Sequence, residues 1–442
     1  MLETTEVTWC EVCGGAGLIS VLDLGSHPLC DDLVRVGDAR LCREYPIEIL
    51  FCERCATAHQ RFQVPNRELF RKSYHYRSRF TADVLRGMEA LVESCERQLG
   101  PLNGKLVLDI GCNDSSLLDV FARKGCRTIG IEPTGACADG LNRGHQLYNA
   151  FFTEESAEVI LRDHGCPDII TFTNVFAHIE NLPGVIRALK MLMSAKTVLV
   201  IENHYLGAIL DRSQFDTFYH EHPRTYSVCS FLHIARSLES GVGAVEFPSR
   251  YGGNIRVFMG QRFPDRIGPA VAAALANEAS FVQRFADLRA NASSWRTIAG
   301  RRLVYLVAKH GPLSAKAFPG RAAILVKMLA LDEASIAVVY EKPGSMKIGH
   351  YLPGTRIPIR SDEELFALAT KPPIILNLAW HISGEIRQYL SEHRYRGEVV
   401  DILDPSDLPI DPASRRPPRT PLDLSGVDER SDLASPPSLS RR

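Results

Sequence analysis

Two Cys-x2-Cys pairs near the start of this 442-residue chain, Cys10 with Cys13 and Cys52 with Cys55, offer four thiolates on two short loops. Four sulfur ligands close the tetrahedral shell of zinc and leave no open position, so a metal held there stabilises the fold and does not react. The 38 residues between the pairs exceed what a compact zinc ribbon needs, so the competing reading makes one pair ordinary core cysteine. Cys30 and Cys42 have no partner at ligand spacing and read as bystanders. Half of the 12 cysteines fall within the first 55 residues, and Met1 to Trp9 carries Glu3 and Glu6 in place of a basic-then-apolar leader. That clustering without a leader indicates metal binding, not disulfides.

A second motif, Val107-Leu108-Asp109-Ile110-Gly111-Cys112-Asn113-Asp114, reads as a buried strand that enters a small-residue turn and then a helix beginning near Ser115. Glu132 ends the next strand, 21 residues past Gly111. A small residue in the turn lets a nucleoside approach the backbone, and an acid at the end of the second strand can accept both ribose hydroxyls. A dinucleotide would want a Gly-x-Gly-x-x-Gly turn for its pyrophosphate, and here only Gly111 is glycine, with Asp114 repelling phosphate at the helix start. S-adenosylmethionine, with a sulfonium and no phosphate, suits the loop better; NAD(P) and a loop without ligand are the alternatives. Thr173 to His178 ends a further strand, where donor and acceptor would meet.

The third motif is Phe215-Asp216-Thr217-Phe218-Tyr219-His220-Glu221-His222. Its last four side chains are expected at the active edge of the sheet as an acid-base cluster, because imidazole titrates near pH 6.5 and a carboxylate and a phenol stand beside it. A His-x-His metal site and a plain solvated loop remain open readings.

These motifs need a scaffold, and the chain supplies one. Strand candidates at Leu106–Ile110, Thr128–Ile131, Ile169–Thr173 and Thr197–Ile201 alternate with helical stretches, which predicts an α/β fold with a parallel sheet. One of those stretches is expected to run to Arg143. An Ala-rich helical stretch from Pro269 to Ala292 leads to a second α/β region, with strands at Ala315–Phe318, Ser335–Tyr340 and Ile374–Leu378. The reading divides the chain into a zinc-binding domain at 1–66, a larger α/β domain at 67–295, a second α/β domain at 296–410 and a Pro/Ser/Arg-rich tail at 411–442 expected to be disordered. With 51 Lys and Arg against 52 Asp and Glu, the chain lacks the cationic field of a nucleic-acid binder. No apolar run approaches the roughly 18 residues of a membrane span. A cytoplasmic, monomeric protein that binds neither nucleic acid nor membrane is expected.

In order along the chain, the two cysteine pairs, Tyr74-x-Tyr76-x-Ser78, Asp109-Ile110-Gly111-x-Asn113-Asp114, Asn174-Val175-Phe176-Ala177-His178-Ile179, the Phe215 to His222 stretch, Gly252-Gly253 and Leu352 to Pro358 resemble the sugar C-methyltransferases of deoxysugar biosynthesis. The resemblance covers about residues 8 to 404. It implies a zinc-binding N-terminal domain, a class I S-adenosylmethionine-binding Rossmann-like sheet and a C-terminal Rossmann-like domain. It also implies a nucleotide-linked, commonly dTDP, 4-keto-deoxyhexose methylated at C3. Carried over by position, His222 is the general base, with Tyr219, Glu221 and His178 around the sugar and Tyr76, or else Tyr74, as the phenol near the reacting carbon. Asp109, Gly111, Asn113, Glu132 and Asn174 hold the methyl donor, and Cys10, Cys13, Cys52 and Cys55 hold the zinc. An NAD(P)-linked nucleotide-sugar oxidoreductase and an inert zinc-ribbon scaffold are the rival functions.

Several residues depart from the family pattern. Ser115 replaces Gly, Asn203-His204-Tyr205 replaces Val/Ala-Pro-Tyr, and Tyr251-Gly252-Gly253-Asn254 replaces His-Gly-Gly-Ser. Ala317-Phe318-Pro319-Gly320-Arg321-Ala322-Ala323 replaces a glycine-rich turn that ends in Lys-Gly. The last change bears on the acceptor, whose nucleotide end would contact the C-terminal domain, and leaves room for a different keto acceptor.

Overall fold

The computed structural model describes residues 4–70, 76–80, 82–264 and 268–410. Tyr74 and the tail from 411 onward lie outside the described residues.

The long spacer between the cysteine pairs folds as a hairpin. Strands β1 (Ile19–Pro28) and β2 (Glu44–Cys52) pair antiparallel, and β3 (Thr57–Gln60) extends the sheet past the second cysteine turn. Helix α1 (Ala82–Leu99) then leads into the central sheet.

That sheet contains β4 (Leu106–Ile110), β5 (Arg127–Ile131), β6 (Gln146–Tyr148), β7 (Ile169–Thr173) and β8 (Val198–His204). Between them lie α2 (Ser116–Arg123), α3 (Glu154–His164) and α4 (Leu182–Leu192). After β8 come α5 (Leu206–Asp211), the two-residue strand β9 (Arg224–Thr225) and α6 (Val228–Ser237). Strands β10 (Gly241–Glu246) and β11 (Asn254–Gly260) complete the sheet in the spatial order β10-β11-β8-β7-β4-β5-β6, with β11 antiparallel to its neighbours. Its strands are buried on both faces. Leu106, Leu108, Ile110, Ile170, Phe172, Leu199 and Ile201 serve one core, while Val107, Ile169, Val198 and Val200 face a second core under α1. This is the period-2 alternation of a doubly covered parallel sheet.

The expected helix from Glu132 to Arg143 is absent; a 3-10 turn at Gly135–Gly140 and the edge strand β6 take its place. Gly140 explains part of this, since a Cβ there would meet Ser115 Oγ at 2.1 Å and leaves no room for a longer side chain. Two glycines within six residues also remove helix propensity.

Helix α7 (Pro269–Glu278) is followed by α8 (Phe281–His310), 30 residues and therefore about 45 Å long. The expected stretch ending at Ala292 is thus two helices, and the boundary expected at 295 falls inside α8. Phe281, Phe285, Leu288, Ala292, Trp295, Ala299 and Leu303 recur at three- and four-residue spacing and are buried. Phe285 packs 5.4 Å from Phe51 of β2, while Trp295 stacks on Phe215 and donates its indole N–H to the Ile402 carbonyl. One helix therefore supplies core to all three domains.

The C-terminal sheet is wholly parallel: β12 (Leu313–Lys316), β13 (Ile336–Glu341), β14 (Ile359–Ser361), β15 (Ile374–Asn377) and β16 (Glu398–Asp401), in the order β14-β13-β12-β15-β16. Helices α9 (Ala322–Met328), α10 (Asp362–Ala367) and α11 (Ser383–Glu392) connect them. The Leu352 to Pro358 motif works as a clamp, with Arg356 donating to the carbonyls of Asp38, Ala39 and Arg40 in the N-terminal domain. Among the described residues, no helix is long and apolar enough to cross a membrane.

Trp295→Ala should destabilise the protein by about 3–5 kcal/mol, because it removes a large side chain from a core that cannot collapse around the void. Denaturant unfolding measures it, and a loss below about 1 kcal/mol would contradict the shared-core role of α8.

Candidate functional site

The four cysteines come together as their spacing implies. Cys10 and Cys55 stand 3.4 Å apart, Cys13 and Cys52 3.6 Å apart, and all four sulfurs lie within 4.8 Å of one another. A Zn–S bond of about 2.3 Å in a tetrahedron gives sulfur separations of about 3.8 Å, so this donor set fits zinc. Contact among the sulfurs pulls Cys13 and Cys52 down, Cys52 to about 6, and pushes Cys10 and Cys55 up. Cys30 and Cys42 are outside the cluster.

The zinc loop is tied to the third motif. Glu11, between the first two cysteines, accepts from Arg224 at 2.5 Å and from Gln63 at 2.8 Å. Burial alone would raise this carboxyl, but Arg224, His59 and Gln63 outweigh it and hold it at about 2. Arg224 is completely buried and also donates to Tyr226 Oη and to the Ile179 carbonyl, next to His178. Strand β9, which carries Arg224, pairs with His59 and Ala58 of β3 as the fourth strand of the zinc-domain sheet.

A cavity of about 1260 Å³ opens at the C-terminal ends of β4, β7 and β8. Single small-molecule pockets run about 300–1,000 Å³, so this one has room for two ligands. Asp109, Gly111, Asn113, Glu132 and Asn174 all line it, as do Tyr76, His178, Tyr219, Glu221 and His222.

At the β4 end, Gly111 adopts φ +73°, and a Cβ there would strike Val175 at 2.5 Å. Glu132 Oε2 accepts the Asn113 amide and Oε1 the Thr134 amide, which fixes the carboxylate at the end of β5. Asp109 is buried and accepts from Thr171 at 2.7 Å, and burial raises its carboxyl to about 7. The Asn113 side chain accepts from the Ser78 amide and donates to the Tyr76 carbonyl, so it holds the 76–78 segment against the loop. Tyr76 itself is 41% exposed. Asp114 is fully buried and accepts from the amides of Arg79 and Ser116. Ser115 takes φ +65°, the left-handed region that explains a preference for glycine. Asn174, at φ +55°, accepts from Asn254.

At the third motif, His222 Nδ1 lies 3.0 Å from the Thr217 carbonyl, which can only accept, so Nδ1 carries the proton and Nε2 is the basic atom. Around it stand Tyr219, His178 and His204, with ring centroids at 4.3, 5.0 and 5.4 Å. Burial, reinforced by His178 and His204, pushes His222 well below the ordinary imidazole value. Burial likewise lowers His178, and it lowers His204 to about 3. The group is a cluster of neutral imidazoles.

One expectation fails here. His220 points away from the cavity and binds the Tyr45 carbonyl of β2 at 3.0 Å. Of the motif's last four residues, Tyr219, Glu221 and His222 line the cavity and His220 does not; Thr217 lines it as well. In the turn after β15 the Trp380 indole donates to Asp216, while His381 lines the cavity.

Other residues lacked a sequence signal of this role. Glu202 of β8 is fully buried and accepts from Arg250, Asn254 and Arg256. It anchors the segment after Gly252-Gly253 to the active edge. Arg321, from the altered C-terminal loop, pairs with Asp216 and Gln214 just before Thr217. Its charge sits five residues past the end of β12, and no local pattern pairs it with Asp216.

Cys52→Ser should lower bound zinc from one ion per chain to a small fraction and lower the melting temperature with it, since metal binding contributes directly to folding. Elemental analysis of the purified variant is the check, and full zinc retention would rule out the four-cysteine site.

Comparison with known proteins agrees with this geometry. Residues 10–70 match a family described as "Putative zinc binding domain", 75–244 a methyltransferase domain and 249–401 a C-methyltransferase C-terminal domain. C-methyltransferase NovU of Streptomyces niveus is 30% identical over 405 residues, which cover 90% of this chain and 96% of NovU. Among solved structures, magnesium protoporphyrin IX methyltransferase of Synechocystis PCC 6803 is 14% identical with a TM-score of 0.32, covering 40% of this chain and 82% of its own. An S-adenosylmethionine-dependent methyltransferase from Clostridium acetobutylicum is 11% identical with a TM-score of 0.32, covering 39% and 89%. The structural likenesses are too partial to add to the assignment, whereas NovU matches almost end to end. The chain belongs to the S-adenosylmethionine-dependent C-methyltransferases and carries that family's zinc-binding domain.

Proposed function

We propose that this enzyme methylates a carbon next to a ketone on a nucleotide-linked 4-keto-deoxyhexose, at C3 of a dTDP sugar, in the making of a deoxysugar for a natural product. The observation that carries the reading is the neutral His222, with Nδ1 committed to the Thr217 carbonyl and its ring lining a cavity large enough for two ligands. Carbon is a poor nucleophile, and methylating it needs a base at a position acidified by a carbonyl. Oxygen and nitrogen acceptors already carry a lone pair and can often be methylated through proximity alone.

When bound, S-adenosylmethionine supplies an electrophilic methyl on a sulfonium. Glu132 offers its carboxylate to the ribose hydroxyls, Gly111 admits the nucleoside to the backbone, and Asp109, Asn113 and Asn174 shape the rest of that end. His222 Nε2 takes the proton from the carbon beside the ketone as that C–H bond breaks. Tyr219 holds the enolate oxygen by hydrogen bonding, His178 lines the sugar beside it, and Tyr76 closes the exposed side. The enolate carbon would then take the methyl group that the bound donor supplies, the sulfonium leaving as a neutral thioether, and His222 returns its proton to solvent. Glu221 contributes its carbonyl to His178 at 2.6 Å, which orients that ring.

Lys342 and Lys347 line the same cavity from the C-terminal sheet and would meet a diphosphate. That supports a nucleotide-linked acceptor despite the lost glycines, and cytoplasmic thiol-reducing conditions suit the zinc cysteines.

His222→Ala and His222→Gln should each lower kcat about 10²–10⁴-fold while leaving S-adenosylhomocysteine affinity unchanged. The base acts unprotonated and its pKa is lowered, so the acid limb of kcat/KM should fall below pH 6.5, and the profile should stay flat from pH 8 down to there. Both carbons flanking a 4-ketone are acidic, so labelled methyl must be located on the product. Wild-type turnover in the Gln variant, or label on oxygen or nitrogen, would overturn the proposal.

A further inference from the structure

Most buried polar atoms around the cavity are answered by protein: Glu202 by two arginines, Asp114 by two amides, His222 Nδ1 by a carbonyl. Asn203 is not. It stands at the C-terminal end of β8, is 1% exposed and lines the cavity, yet neither its amide oxygen nor its amide nitrogen has a hydrogen-bond partner among the described residues. Two further lining residues share this state, Thr217 at Oγ1 and His381 at Nδ1. They come from three separate elements: the end of β8, the turn before His222 and the turn after β15. A buried amide with both its donor and its acceptor unmet is costly, and native proteins seldom retain one without a partner that arrives later.

The position is chain-specific, since Asn203-His204 stands where the family pattern has an apolar residue and proline. It lines the same cavity as His222. The imidazoles of the cavity are uncharged: burial drives His204, His222 and His381 towards their neutral forms, and Arg321 is occupied by Asp216 and Gln214. A hydroxyl, which donates and accepts at once, matches an amide that needs both.

We infer that Asn203, assisted by Thr217 and His381, forms a subsite for a free hydroxyl of the acceptor adjacent to the reacting carbon, and so selects hydroxylated over deoxygenated keto-sugars. This rests on the acceptor class proposed above.

The test uses full-length, zinc-loaded enzyme and Asn203→Val and Asn203→Ala variants. Each is assayed with labelled methyl donor against dTDP-4-keto-6-deoxyglucose and its 2-deoxy counterpart. Wild type should prefer the hydroxylated acceptor by at least about 10-fold in kcat/KM, since a site built to bind a hydroxyl rejects the analogue that lacks it. The variants should lose roughly 10–100-fold on the hydroxylated acceptor, mainly in KM, and stay within about 2-fold on the 2-deoxy one. Their ligand-free melting temperature should hold or rise, because an unmet polar group has been removed. A wild-type preference for the 2-deoxy acceptor, an unchanged ratio in the variants, or an equal fall on both acceptors with a lower melting temperature would overturn the subsite. The last result would make Asn203 a structural residue holding a buried water. Wild-type turnover of neither acceptor would overturn the keto-sugar reading itself, and the inference with it.

Discussion

Arg224 joins the parts of this molecule. Its guanidinium is wholly buried, and it binds Glu11 of the zinc loop, the Tyr226 hydroxyl and the carbonyl beside His178. A buried charge is tolerated only when it is paired and hydrogen-bonded, and removing one partner of such a pair typically costs about 3–5 kcal/mol. The zinc knuckle therefore cannot shift without disturbing a residue two positions after His222. The β9–β3 pairing adds backbone hydrogen bonds to the same joint. The four cysteines lie outside the cavity and are still tied to the loop that carries His222.

A second consequence concerns the electrostatics around His222. Three imidazoles, at 178, 204 and 222, share one region, and desolvation keeps them neutral. A neutral imidazole there can accept a proton only if the charge it gains is compensated. The same low dielectric that lowers these imidazoles strengthens the hydrogen bonds made beside them.

The C-terminal domain completes the cavity. Its altered loop bends with Ala317 in the left-handed region at φ +64° and carries Arg321. Arg321 braces Asp216, which also takes the Trp380 indole, so the third motif is held from the C-terminal side as Arg224 holds it from the zinc side. Helix α8 keeps both braces in register through its shared core.

Local pattern carried much of this. Cysteine spacing identified the metal ligands because a two-residue gap brings two thiolates within reach of one ion, wherever the rest of the chain goes. Strand and turn chemistry around Asp109, Gly111 and Glu132 pointed to the sheet edge where the cavity opens because those requirements lie within one β-α-β unit. Period-2 and period-3.6 apolar spacing gave the elements, although the stretch after Glu132 shows how glycine and a crowded neighbour override a weak helical signal. What the sequence could not determine was which side of a turn a residue faces. His220 and His222 are two residues apart and point to different domains. The pairings Arg224–Glu11, Arg321–Asp216 and Glu202–Arg256 join residues 54 to 213 positions apart. Such contacts are set by how sheets and helices dock, and burial then decides which polar groups are satisfied and which, like Asn203, are left for a ligand.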